Sequence, residues 1–419
     1  MNMHVKKVLT SCILSTLVGT SIVACDSSSN SSGNSGGVTG AVTTQEPVTT
    51  VEANELGISA IPSDLAATFT SQLQFNRYTK VDTPNGGKIH IVAQDGIKDN
   101  QIVRARNILE HFLKDHPESE YGADKSAVAN KMAENGATLM LLNGIDDGTN
   151  QASELPAQPL YYGEMQVEGG AWYVNQNYEH RDASYEEILH LVHDFGIGVD
   201  QNSAFIGALP EFQAEIRAAQ TTALSSNLWG SAQQYSDWIQ ELTAENSLSQ
   251  EYLAAVVDSY YGLWGAFNEG AGMWGIYVAK TRDDILLHDV QGAQLMNNKF
   301  FHPYLTYNAR IDESFTGSFS LRFDQELPYS HHAQYLKDIT LTGDNDSNVI
   351  VNGFDNNITG NIGTNIVVFS GNSSQYQYQR QGDKVIVIDL QNGRDGNNTL
   401  AQIEYIEFTD TKIAISDIE

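Results

Sequence analysis

The chain has 419 residues, with 23 Lys and Arg against 52 Asp and Glu, for a formal net charge of −29. That balance argues against a nucleic-acid binder, which needs a basic surface for phosphates, and against adhesion to anionic lipid through protein charge. With 41% hydrophobic and only 18% charged residues this is a globular chain, and its 2 Cys exclude a disulfide scaffold or a Cys-rich zinc site.

In chain order, Lys6 and Lys7 precede an apolar run from Val8 to Ala24. The run is too short and too rich in Ser and Thr for a comfortable membrane span, and reads as an export signal. Ser, Asn and Gly dominate from Asp26 to Gly40, so residues 25–56 read as a flexible linker. Lys88 to Ala93 alternates as a strand, and Asp99 to Leu113 carries Ile102, Val103, Ile108, Leu109 and Phe112 at helical spacing. Lys125 to Glu134 predicts a second helix stopped by Asn135-Gly136, and Ala137 to Leu142 a buried strand. Leu160–Val167 and Ala171–Asn175 predict a strand pair around Gly169-Gly170. Helices are expected at Pro210–Leu224, Ala232–Leu242 and Gln250–Phe267. After about Phe315 the composition turns to Asn, Gly and β-branched residues, with strands at Gly317–Phe323, Lys384–Ile388 and Ile403–Phe408. Short repeats of that kind cannot bury a face alone and must stack into a roll or solenoid.

One helix carries chemistry-bearing residues. In Ser184 to Gly196, Ser184 and Glu187 read as a capping box and Gly196 as the stop. At about 100° per residue, Ile188, Leu189, Leu191, Val192 and Phe195 share one face, and Glu186, Glu187, His190, His193 and Asp194 the other. Such a stripe is commonly a solvated helix face. Two imidazoles flanked by carboxylates three and four residues apart could instead reach one metal ion. His331-His332, by contrast, are expected to point apart in a strand.

Three resemblances sharpen this reading. Ile22-Val23-Ala24-Cys25 resembles the lipobox of bacterial lipoproteins. That implies cleavage before Cys25, lipid on its sulfur, an envelope location facing the periplasm or the cell surface, and loss of Cys12. Lys6 and Lys7 leave with the signal, so the charge becomes 21 − 52 = −31.

Glu186-Glu187-Ile188-Leu189-His190 resembles the H-E-x-x-H helix of zincin metallopeptidases, with Glu186 in place of the first His. Gln250-Glu251-Tyr252-Leu253-Ala254 resembles the third-ligand helix of the lethal factor-like group. The resemblance implies Zn²⁺ held by Glu186, His190 and Glu251, with Glu187 as the base that takes a proton from water. His193 and Asp258 are alternates, and Tyr260 or Tyr261 a possible oxyanion donor. Asn268-Glu269-Gly270 is a further polar cluster. The implied activity is a zinc-dependent endopeptidase acting on a peptide or protein.

The segment Gly360-Asn361-Ile362-Gly363-Thr364-Asn365-Ile366-Val367-Val368 resembles the nonapeptide of RTX-type calcium-binding tails, with Asn at two of its positions. It implies Ca²⁺, for which Asp344, Asp346 and Asp355 are the candidate ligands.

The expected architecture is α+β. After a signal over residues 1–24, a zincin-like mixed α/β lobe with a helical second lobe spans 57–315, followed by a β-rich roll over 316–419. The alternative function is a non-catalytic, calcium-binding or adhesive surface lipoprotein.

Overall fold

The computed structural model describes residues 53–176, 178, 180–200, 206–268 and 270–419. Cys12, Cys25, the export signal, most of the linker and Glu269 lie outside the described residues.

Strands β1 (Phe75–Asp82) and β2 (Lys88–Gln94) pair antiparallel. Helices α1 (Asp99–Leu113) and α2 (Ser126–Glu134) follow, then β3 (Thr138–Leu142) and β4 (Gln158–Tyr161). The last two add in parallel, so the sheet order is β1-β2-β3-β4 with β4 at an edge. Alternation along β2 and β3 sends Ile89, Ile91, Leu139 and Leu141 to the main core, where Ile102, Ile108 and Leu109 of α1 also lie. Val92, Met140 and Leu142 face the other way, against Phe69, Phe75 and Tyr78.

The strand expected at Ala171–Asn175 is instead a short helix, α3, and the one from Leu160 ends early in a turn at Tyr162–Glu164. Gly169, at φ 80°, separates the two. A β-carbon there would stand 2.5 Å from the Ile311 side chain, so a glycine permits the approach. Next come α4 (Ser184–Val192), α5 (Pro210–Ser225), α6 (Ser236–Glu245), α7 (Leu248–Tyr260), α8 (Arg282–His288) and α9 (Val290–Met296). Pro210 occupies the first turn of α5, where its missing N–H costs nothing. α7 is apolar around most of its circumference, and Leu253 to Val257 are fully buried.

The tail is a two-sheet roll. β5 (Leu305–Ile311), β6 (Gly317–Ser320), the short helix α10 (Ser330–Ala333), β7 (Leu336–Leu341), β8 (Ser347–Ile350), β9 (Asn357–Thr359) and β10 (Asn365–Val368) follow one another. Then come β11 (Tyr376–Gln381), β12 (Lys384–Asp389), β13 (Asn397–Ala401), β14 (Tyr405–Glu407) and β15 (Lys412–Ala414). Successive strands alternate between the sheets: β5, β7, β9 and β13 run parallel in one, β6, β8, β10 and β14 in the other. The β11–β12 hairpin extends the first sheet and β15 the second, all antiparallel. Val349, Val351, Ile358, Val367, Phe369, Leu400 and Ile406 fill the interior.

The first coil begins at Leu305, so the boundary expected at 315/316 falls inside it. His331 and His332 sit in α10 rather than a strand. The fold is α+β, with both parts in one continuous hydrophobic core.

Candidate metal centre

The helix that the sequence singles out lies inside the molecule. Every residue of α4 is buried, including Glu186, Glu187 and His190, each at 2% exposure. Its polar stripe is therefore an interior surface and not a solvated face. α4 packs against α1, α7 and β4.

The expected capping box does not form, because Ala183 is the N-cap. Asp182 does the work instead: its Oδ1 accepts the Ser184 N–H at 3.2 Å, and its Oδ2 takes Arg104 at 2.6 Å. Arg104, buried on α1, also binds Glu168 at 2.9 Å, and Glu168 accepts from the Tyr307 hydroxyl on β5 at 2.6 Å. Burial raises the Glu168 carboxyl, but Arg104 and His332 together outweigh this and hold it at about 2. After Val192 the helix widens to a π-turn, His193–Ile197.

Glu186, His190 and Glu251 come together. One ligand atom from each lies within 4.8 Å of the others, although Glu251 comes from α7, 61 residues beyond His190. His190 Nε2 is 3.8 Å from Glu251 Oε1, while Nδ1 faces Glu187 Oε2 at 3.6 Å. Gln158 of the edge strand β4 donates to the same Glu187 oxygen at 2.7 Å.

Around this triad stand residues that sequence reasoning passed over. Arg181, fully buried, forms an ion pair with Glu186. Glu164 is pushed up to about 8, by burial first and then by Glu187; Glu251 rises to about 8, by burial and Glu186, with His190 pulling the other way. Asp258 is raised by burial and Glu186. Crowded carboxylates in a dry interior hold protons where one guanidinium does not offset them all, and a metal cation would supply further counter-charge. Neither Arg181 nor Glu164 belongs to a motif; Arg181 stands three residues ahead of α4, and the fold brings Glu164 to it.

Other candidates fall elsewhere. His193 turns to α5, where its Nε2 meets Gln213 Oε1 at 2.5 Å, so it is not an alternate member of the triad. Asp258 borders a narrow cleft with Arg181, Asp182, Trp172, Tyr178 and Trp264, and is not one of the three converging ligands. Tyr261 donates to His302 O at 2.7 Å, which takes its hydroxyl from the oxyanion role, and the Tyr260 ring lies under Arg282.

In the roll, Asp344, Asp346 and Asp355 are exposed and do not gather as three ligands. Asp346 and Asp355 each accept a backbone N–H from a later coil, Thr364 and Asn397, at 2.7 Å. The turns are closed by asparagine amides. Asn352 donates to Leu336 O at 2.9 Å, Asn356 to Lys337 O at 2.8 Å, Asn361 to Asn345 O at 2.9 Å and Asn365 to Ser347 O at 3.0 Å.

No protein-family model matches the chain, and no curated protein is significantly similar to it. Among the described residues no helix is long and apolar enough to cross a membrane.

Proposed function

We propose that the protein is a metal-dependent hydrolase acting on a peptide or protein, tethered to the cell envelope through lipid on Cys25, with the β-roll as its second part. One observation carries the reading: Glu251 converges on Glu186 and His190 from a helix distant in sequence. The donor set, two carboxylates and an imidazole within an excess of buried acid, fits a divalent transition ion. Zinc is the ion the zincin resemblance suggests, but a carboxylate-rich set also suits manganese or iron. A bound ion would supply Lewis-acid polarisation of a carbonyl and lower the pKa of water. Glu187, held by Gln158, would receive the proton, and β4 beside it, the last strand of its sheet, is where an extended peptide could add as a strand.

A second reading has its own support. Glu187 approaches the far nitrogen of His190, the position of a carboxylate that orients a ligand, and the whole triad is buried. This describes a structural metal site on a non-catalytic scaffold.

Elemental analysis of the purified protein, with hydrolysis of a mixed peptide library, separates the two. The hydrolase reading expects one tightly held transition metal, lost in His190→Ala. It also expects activity that falls about 10²-fold or more in Glu187→Gln with metal retained. Metal without hydrolysis in the wild type would leave the structural reading. No metal in the wild type would sink both.

A further inference from the structure

Arg181 stands at an unusual place for a cation. It is buried at 5% side-chain exposure and paired with Glu186, itself at 2% and one of the three converging ligands. Its charge acts on Glu186, Glu164, Glu187 and Asp258, and Glu251 feels it as well. Among the described residues, it is the arginine around which these five carboxylates gather. Asp258 Oδ1 is buried without a hydrogen-bond partner and borders the same cleft as Arg181, so among these carboxylates it offers the guanidinium an oxygen with no hydrogen bond of its own.

We propose that Arg181 is a built-in counter-ion of the acid cluster and competes with the metal ion for Glu186, moving toward Asp258 when the ion binds. This rests on the reading of Glu186, His190 and Glu251 as metal ligands. The physical reason is charge. Buried carboxylates repel one another strongly at low dielectric, and an unpaired buried charge is costly. A guanidinium cannot be deprotonated in the interior, so it offsets that repulsion at every pH of interest. The fold is then stable before any ion arrives, at the cost of a weaker hold on the ion. Without Arg181 the ion would be the main cation available to the cluster, and folding and metal binding would become tightly linked.

The test uses the full-length protein and Zn²⁺, with affinity read by competition against a chromophoric chelator and stability by thermal melting with and without EDTA. The wild type is expected to bind Zn²⁺, His190→Ala to lose it, and the wild-type Tm to change little in EDTA. Arg181→Gln is expected to bind Zn²⁺ about tenfold tighter or more and to melt lower in EDTA, the loss being restored by Zn²⁺. Equal or weaker binding in Arg181→Gln overturns the proposal while leaving the metal reading in place. Absence of Zn²⁺ binding in the wild type removes the metal reading and the proposal with it. If Arg181→Gln folds in neither condition, Arg181→Lys decides. A counter-ion predicts wild-type affinity and an EDTA-insensitive Tm, because the charge is kept. A loss of Zn²⁺ affinity there shows that the guanidinium fork only positions Glu186, and overturns the proposal.

Discussion

His193 shows how burial changes the meaning of a residue. It lies three positions from His190 on the same helical turn, yet it faces Gln213, and burial lowers its pKa from the ordinary 6.5 to about 4. Between those values the unfolded chain takes up a proton that the native state refuses. Stability is therefore lost as the pH falls from 6.5 toward 4. A His193→Gln variant should show a shallower loss, by roughly 1.4 kcal/mol per pH unit across the window. Urea denaturation near neutral pH and again near pH 5 measures it. The slope should not vanish, since His111 is also buried with its pKa lowered by desolvation. An unchanged slope would mean that His193 is not buried neutral.

At the scale of the element, the turns of the roll explain how an Asn-rich repeat closes on amides. Asn352 and Asn361 are nine residues apart, as are Asn356 and Asn365, and within each turn the later amide donates to the earlier one: Asn356 to Asn352 Oδ1 at 3.0 Å and Asn365 to Asn361 Oδ1 at 2.9 Å. The amide nitrogens point at the carbonyls of the preceding coil, the oxygens that a cation would otherwise draw in. An N–H donor there satisfies them without an ion. Melting of the full-length protein should show no loss of the roll in excess EGTA, and added Ca²⁺ should leave the Tm unchanged. Asn365→Ala, which removes the amide donor to the Ser347 carbonyl and the acceptor of the Asn361 backbone N–H, should cost about 1–3 kcal/mol. Asn365→Asp should not be rescued by Ca²⁺ if the neighbouring amides keep the site closed.

The whole molecule is tied together by β5. It opens the roll, yet it lies on α1, where Arg310 donates to Asn100 at 2.9 Å and Thr306 meets His111 at 2.9 Å. The Arg104 network runs from α1 through Glu168 to Tyr307 of β5 and through Asp182 to the start of α4. The roll and the α4 site thus share one ionic support. Calorimetry of the full-length protein should show a single transition, because neither part can open without exposing the common core. Arg104→Met, which leaves two buried carboxylates without their cation, should cost about 3–5 kcal/mol and lower that one transition. Two resolved transitions would show that the parts are independent.

How much of this was legible in the sequence varies with range. Periodicity placed α1, α2, β2 and β3 almost to the residue, because apolar spacing reports local burial directly. It misread Ala171–Asn175, where a short apolar run with aromatic residues suits strand or helix equally and neighbours decide. It singled out Glu186, Glu187, His190 and Glu251, since each sits in a stretch with a recognisable pattern. It could not show that α4 is buried on all sides, nor that Glu164 and Gln158 border it, because those residues lie in other elements, nor that Arg181 just ahead of it pairs with Glu186. The sequence alone determined the α+β class, the strongly acidic character and the helix that bears the candidate ligands. Only the tertiary structure decided which acids meet, that Asp182 rather than a capping box starts the helix, and that the first strand of the roll belongs to the core beneath α1. The reason is physical: local pattern records which side of an element is apolar, whereas the cost of burying charge is settled by groups that meet only when the chain has closed.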